Sequence, residues 1–472
     1  MKTGRILSIF TALALTLCAV AAVAQAPVRG TLIVTDGRDA WKAMQLGSSS
    51  SGRADLEVDS SIRGQTLEGY GGALNEKGWA ALAVLAPETR VETLSRIFKA
   101  GDGLGLNFAR VPIGASDYAM DRYSHDEWPE DYDMKKFSIE RDRRMLLPYA
   151  KAAKAVRGDL TFWASAWSPP TWMKTNAAFD SGAMRDEPAV YGAYARYLAK
   201  FADAWAAEGI PMAAIAVQNE PSILTAYPSC EWQPAQYRTF IRDHLGPEFE
   251  RQGRRTAIML GTFNQSGNVD HALAVLRDPV AKKYVSILGL QWDGLPIAEY
   301  ALKEKADLRV WMTETDCGNW HWKYGFDPNK PQNDFPYAAY TWQRIREYLA
   351  GGASVYTLWN IVLDETGKSI DAKRPWPQNS PIVVDSASGK VTYTPMYYAF
   401  GHFSRYSPAG SVRLGLRGDY GDAIAFRDPE GRTVLHLLNS TRGARKLKVK
   451  AAGRNWDLRL EGHSFATLIV EE

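Results

Sequence analysis

Cysteine is scarce in this chain: three in 472 residues, at Cys18, Cys230 and Cys317. Cys18 follows Leu17 rather than a small residue, which argues against a lipid-modified cysteine. Neither Cys230 nor Cys317 joins histidines at metal-ligand spacing, so no metal is expected, and no motif calls for a cofactor. An exported location permits a disulfide between those two cysteines, and spacing alone does not show one. Charge of one sign is also missing. With 56 Lys and Arg against 53 Asp and Glu the net charge is +3, which leaves no nucleic-acid footprint. The basic cluster at 442–450 reads as a solvated strand face. Beyond the first 26 residues no apolar run is long enough to span a bilayer, so stable membrane insertion is excluded as an expectation.

Those first 26 residues read as an export signal. Lys2 and Arg5 form the basic start, residues 6–22 the apolar middle, and cleavage is expected after Ala24 or Ala26. The mature protein is expected to be soluble, monomeric, and periplasmic or extracellular. What the chain has in abundance is aromatic: 16 Trp and 22 Tyr. Trp163, Trp167, Trp172, Trp292, Trp311 and Trp359 all fall near expected strand ends, where rings can stack on sugar faces. Burial in the core is the competing reading for each of them.

One stretch organises the rest. Residues 212–217 are an apolar run that ends in Gln218-Asn219-Glu220-Pro221. Strand alternation predicts Ala214, Ala216, Gln218 and Glu220 on one side, with Ile215, Val217 and Asn219 on the other. Pro221 stops the strand where the acid sits. Residues 308–314 repeat this grammar and stop on Glu314. A glutamate ending a strand is commonplace by itself. Two of them are what glycoside hydrolysis needs, one to protonate the departing oxygen and one to attack or to activate water.

In chain order, strands are expected at 31–35 and 56–58 on either side of a serine-rich linker at 47–52. A first barrel-like strand follows at 65–73, whose Gly69-Tyr70-Gly71-Gly72 suggests a bulge or a close backbone approach. A helix begins at Pro87 with Val91, Leu94 and Phe98 on its buried face. Further strands are expected at 106–113, 160–167, 212–220, 256–260, 285–291, 310–314 and 355–360, alternating with helices. Arg110 interrupts an apolar strand and needs a partner if buried. Eight strands alternating with helices predict a (β/α)8 barrel, in which Glu220 ends the fourth strand and Glu314 the seventh. The tail changes to short alternating strands with turns near Gly431, Gly443 and Gly453. The expected organisation is a signal at 1–26, N-terminal strands at 27–64, a barrel at 65–400, and an antiparallel β-domain at 401–472 that the N-terminal strands join.

The ordered set Gly69-Tyr70-Gly71-Gly72-Ala73, Arg110-Val111-Pro112, Ser116-Asp117, Ala166-Trp167-Ser168-Pro169-Pro170-Thr171-Trp172, Gln218-Asn219-Glu220-Pro221, Thr313-Glu314 and Leu358-Trp359-Asn360 resembles glycoside hydrolase family 30 over nearly the whole mature chain. The family-like segments at 379–385, 394–398 and 401–404 extend the resemblance toward the tail. It implies a retaining (β/α)8 hydrolase of β-glucosides, with Glu220 as acid/base, Glu314 as nucleophile and Asn219 on the substrate's 2-hydroxyl. Arg110 and Asp117 are implied to shape the glycone pocket, and Trp167 and Trp359 to line the sugar subsite. Gln291-Trp292-Asp293 after the sixth strand looks more like the β-1,6-glucanase branch than the glucosylceramidase branch. The expected substrate is therefore a β-1,6-linked glucan or gluco-oligosaccharide, and the alternative is a glucosylated lipid. Two further readings compete: an inverting hydrolase, which would also keep two acids, and a non-catalytic carbohydrate-binding barrel, which need not keep both.

Overall fold

The computed structural model describes residues 29–49, 52–315, 318–320, 326–371, 373 and 376–471. The expected export signal and Cys317 lie outside the described residues. Cys230 is buried.

Eight parallel strands close into a barrel: Gly69–Ala73, Phe108–Ile113, Thr161–Ala166, Met212–Ala216, Ala257–Gln265, Val285–Asp293, Arg309–Glu314 and Val355–Asn360. The last pairs back onto the first, with Val355 opposite Gly69. Alternation along these strands builds two cores. Inward residues Phe108, Trp163, Ala214, Ala216, Met259, Ile287, Trp311 and Val355 fill the lower barrel. Outward residues such as Ile215 and Val217 join the much larger layer between strands and helices. Of that outer layer, the helix Pro188–Ala207 shows the sequence logic well: Tyr191, Tyr194, Leu198, Phe201 and Trp205 recur at helical spacing and are all buried. In Pro87–Phe98 the buried stripe is Thr93, Leu94, Ile97 and Phe98. Val91, expected on that face, lies at its edge and is 59% exposed.

Trp163 and Trp311 form the barrel floor, with their rings 6.3 Å apart, and Trp311 donates its indole N–H to Glu68 at the opposite rim from the strand C-termini. Trp172 is packed edge-on to Tyr132 and bonded to the Asp126 carbonyl. These three are core rings, not sugar platforms.

Of the remaining strands, Val362–Asp364, Ile382–Val384 and Val391–Tyr393 form a small three-stranded sheet, and the other nine form one sheet in the order Arg454–Leu460, Arg445–Ala451, Leu56–Thr66, Val412–Gly418, Ala423–Arg427, Thr433–Asn439, Ser464–Val470, Gly30–Thr35 and Lys42–Leu46. Both ends of the chain therefore meet in it: Gly30–Thr35 pairs with Ser464–Val470, and Leu56–Thr66 lies between Val412–Gly418 and Arg445–Ala451. The helix Pro395–Tyr406 joins sheet and barrel, and its buried His402 bridges Thr467 and Thr35 hydroxyls at 2.8 and 3.0 Å. The strand expected at 65–73 divides. Gln65 and Thr66 close the long sheet strand, and the barrel strand starts at Gly69. Gly69 holds φ +146, and a Cβ there would meet the Asn107 amide at 1.9 Å, so no other residue fits this corner.

Candidate active site

At the C-terminal mouth of the barrel the chain leaves strand geometry earlier than its apolar run suggests. The fourth strand ends at Ala216. Past it, the backbone is held by neighbours: the Asn219 N–H donates to the Ala166 carbonyl and the Glu220 N–H to the Thr262 carbonyl, while the Thr262 N–H returns to Gln218. The simple alternation consequently fails by one residue. Gln218, expected beside Glu220, turns toward the helix layer, where its amide oxygen accepts from the Trp232 indole. Asn219, expected outward, faces the mouth. Glu220 itself sits at φ +48, a left-handed conformation that only firm local bonding holds for a side chain of this size.

Arg110 is the centre of the site and is fully buried. Its guanidinium donates to Glu314 Oε2 at 2.6 Å, to the Thr313 carbonyl at 3.2 Å, to Ser165 Oγ at 2.9 and 3.0 Å, and to Asn219 Oδ1 at 2.7 Å. All its donors are used, which meets the requirement set by burying a cation. The rings of Trp167 and Trp359 stack on one another at 5.1 Å and stand 4.5 and 5.3 Å from the guanidinium carbon.

The second glutamate is tied in through amides. Gln291 donates from Nε2 to Asn219 Oδ1 at 3.3 Å and to Glu220 Oε1 at 3.2 Å, and its oxygen accepts from Thr313 Oγ1. The Trp292 indole donates to Glu314 Oε1 at 3.0 Å, so both oxygens of that carboxylate are engaged. One bonded chain thus runs from Glu314 through Arg110, Asn219 and Gln291 to Glu220.

The electrostatics separate the two acids. Burial and then the charge of Glu314 push Glu220 up to about 8. Burial also raises Glu314, and here the Arg110 cation and the two donated bonds pull back toward the ionised form. The proton of the pair therefore belongs on Glu220. Asp117 is buried beside them and is held well above the ordinary range by burial, then by Glu314 and Glu220. One of its carboxyl oxygens has no hydrogen-bond partner. Three carboxyl groups thus share one guanidinium, and only one of them keeps its charge cheaply.

Of the residues singled out in the sequence, Glu220, Glu314, Arg110, Asp117, Trp167, Asn219, Gln291, Trp292 and Trp359 are all found at this mouth. Asp293, the last residue of the run that pointed to a β-1,6-glucan, projects into solvent with its side chain 86% exposed, 3.7 Å from Arg344. Trp292 adopts φ +49, which swings its ring onto Glu314 and turns the next side chain outward.

Beside Glu220 opens a cleft of about 320 Å³, walled by Leu224, Tyr227, Asn264, Trp292 and Trp376. Leu224, Tyr227, Asn264 and Trp376 were missed in the sequence. Asn264 lies at the end of a fifth strand that runs to Gln265, past the apolar segment ending at Leu260 that marked it. Leu224, Tyr227 and Trp376 lie on loops, where no periodicity signals which way a side chain points. Among the described residues there is no cluster of His, Cys, Asp or Glu fit to hold a metal.

Comparison with known proteins agrees with this fold. A family model described as "Glycosyl hydrolase family 30 TIM-barrel domain" matches residues 67–407, and one described as "Glycosyl hydrolase family 30 beta sandwich domain" matches residues 410–468. The chain is similar to the "Lysosomal acid glucosylceramidase" of Mus musculus, with 28% identity over 396 residues covering 79% of this chain and 75% of that protein. It is also similar to the "Endo-1,6-beta-D-glucanase" of Neurospora crassa, with 24% identity over 441 residues covering 90% and 84%. Among solved structures, SrfJ from Salmonella typhimurium shares the fold at TM-score 0.82 and 22% identity, covering 94% of this chain and 100% of that one. The endo-beta1,6-glucanase BT3312 does so at TM-score 0.80 and 20% identity, covering 93% and 98%.

Proposed function

The chain belongs to glycosyl hydrolase family 30, and from that premise we propose that it is an exported, retaining β-glucosidase-type hydrolase in which Glu314 is the nucleophile and Glu220 the acid and base. The observation that carries this reading is the unequal pair: Glu314 rests on Arg110 at 2.6 Å, while Glu220 keeps its proton in a buried, amide-lined setting. Ionised Glu314 attacks C1 as Glu220 passes its proton to the glycosidic oxygen. The C1–O bond breaks with its electrons going to the leaving oxygen, and a glycosyl-Glu314 ester forms. Esterification removes the Glu314 charge, which lowers the hold of Glu220's surroundings on a proton. Glu220 then takes a proton from water as that water attacks C1 and frees Glu314. Asn219, fixed between Arg110, Thr262 and Gln291, offers its amide to the sugar's 2-hydroxyl, and Asp117, Trp167 and Trp359 shape the glycone pocket.

For the substrate we take a β-1,6-linked glucan or gluco-oligosaccharide. Support comes from the aromatic rings that wall the cleft beside Glu220, Tyr227, Trp292 and Trp376, and from the similarity to endo-1,6-glucanases along 90% of the chain. One observation favours a second reading, a glucosylated lipid: Leu224 on the same wall is 53% exposed and gives that side an apolar face. No described helix is long and apolar enough to cross a membrane. Comparing kcat/KM on a β-1,6-glucan and on glucosylceramide in detergent decides between them. A clear preference for the lipid overturns the glucan assignment and leaves the two-glutamate mechanism standing. Absence of hydrolysis of any β-glucoside, with the protein folded, overturns both.

A further inference from the structure

The side chain that the two-glutamate mechanism does not use is Asn264. It stands at the end of the fifth barrel strand, more than nine-tenths buried, in the wall of the cleft beside Glu220. Its amide draws the Glu220 carboxyl toward the ionised form, as does that of Gln291, which donates to it at 3.2 Å. Its own oxygen, Oδ1, is buried and has no partner. The amide nitrogen is thus the end turned to Glu220, and an acceptor is left beside it with nothing to accept.

A buried amide oxygen without a donor costs free energy comparable to a lost hydrogen bond. Such an atom at the lip of a cleft persists when a ligand supplies the missing hydrogen. The donor must come from something lying in the cleft beside Glu220, close to the oxygen that Glu220 protonates, because one amide group spans both positions. An aryl or simple alkyl leaving group carries no such donor. A sugar does: in a 6-linked leaving glucose, the 4-hydroxyl stands in a 1,3-relationship to the departing oxygen.

Resting on the reading of Glu220 as the acid, we infer that Asn264 is a specificity-determining and positioning residue. It holds the Glu220 carboxyl through its Nδ2 and selects, through Oδ1, a leaving group that bears a hydroxyl near the departing oxygen. The class of leaving group is polyol-like. Gln291 does not share this second role, since its oxygen already accepts from Thr313.

Two measurements test this. The first compares kcat/KM on 6-O-β-glucosyl-glucose, on analogues each lacking one hydroxyl of the leaving glucose, and on an aryl β-glucoside, in the wild type and in Asn264→Leu. The wild type is expected to lose roughly ten-fold on one deoxy analogue, the 4-deoxy compound foremost. In Asn264→Leu that discrimination disappears, and the intact disaccharide falls roughly ten-fold further than the aryl glucoside. Equal discrimination in both proteins overturns the inference, as does a wild type indifferent to every deoxy analogue. The second measurement needs no turnover: infrared titration of the Glu220 carboxyl, which faces Glu314, Asp117, Arg110 and Gln291. Loss of the Asn264 bond, which favours the ionised form, moves the Glu220 midpoint upward, and an unchanged midpoint overturns the positioning role. A wild type that cleaves the aryl glucoside and not the disaccharide sinks the hydroxyl-reading role alone. Failure on both substrates sinks the hydrolase reading itself and leaves the titration to judge Asn264. Should Asn264→Leu not fold, Asn264→Ala and the wild-type deoxy series supply the same comparisons.

Discussion

Arg110 and Glu314, which are 204 residues apart in the chain, meet at 2.6 Å in the floor of the barrel mouth. The Arg110 side chain is fully buried and that of Glu314 is 7% exposed. Breaking a buried pair by removing one partner strands the other charge. Arg110→Met should therefore cost about 3 to 5 kcal/mol of stability and abolish turnover, because Glu314 then takes up a proton. Arg110→Lys keeps the charge and loses the fork that also holds Ser165 and Asn219, so it should fold and remain strongly impaired. Denaturant unfolding and kcat on an aryl β-glucoside check both variants. A stable, active Arg110→Met would contradict the account.

Glu314→Gln should remove turnover on every substrate, since the other two carboxyl groups at the mouth, Glu220 and Asp117, are held toward their protonated forms. Glu220→Gln should behave differently. It should damage substrates with poor leaving groups most, because an activated aryl leaving group departs with little protonation. Equal loss on both substrate types at the glycosylation step would count against Glu220 as the acid.

The pH dependence follows from the raised Glu220. Activity requires its protonated form, so kcat/KM should decline above about pH 8, and Glu220→Gln should lose that alkaline limb. The stability sign is the reverse of a salt-bridged acid. Folding holds the Glu220 proton to about pH 8, whereas the unfolded chain releases it near the ordinary glutamate value of 4.5. Its contribution is therefore fully present below 4.5 and is lost as pH rises from 4.5 through 8. Glu220→Gln should show a smaller fall in unfolding free energy across that window than the wild type. An identical fall in both proteins would refute the assignment.

Trp292→Phe keeps the ring and removes the indole donor to Glu314 Oε1. That bond favours the ionised nucleophile, so its loss should move the acidic limb of the activity profile to higher pH and lower kcat. An unmoved acidic limb would show that the indole bond is not made in solution.

Deleting residues 411–472 should destabilise the barrel rather than release an active one. The deletion strips Leu56–Thr66 of both its strand partners and Gly30–Thr35 of one of its two, and uncovers buried apolar side chains such as Leu32 and Leu56. It also takes Thr467 from His402. Soluble yield and thermal unfolding of the truncation test this; a stable and fully active product would overturn it.

By itself the sequence determined the barrel, the strand that ends on Glu314, the placing of Glu220 after the fourth strand, and the sheet that both chain ends complete. Each of these is written in period and punctuation: apolar runs of strand length, helices repeating at three and four residues, and glycine turns in the tail. Arg110 was legible as a charge in an apolar strand that needed a partner. Which partner it had was not, because the partner is 204 residues away and chosen by barrel closure. The tertiary structure alone decided the orientation of Gln218, Asn219 and Asp293, where bonds to neighbouring strands and the left-handed turns at Glu220 and Trp292 override alternation. It also decided that Trp163 and Trp311 are floor while Trp167 and Trp359 are wall, since strand position along the barrel axis sorts identical rings into core and site. Asn264 became visible only there, because a lone amide has no period, and its meaning depends on what stands beside it.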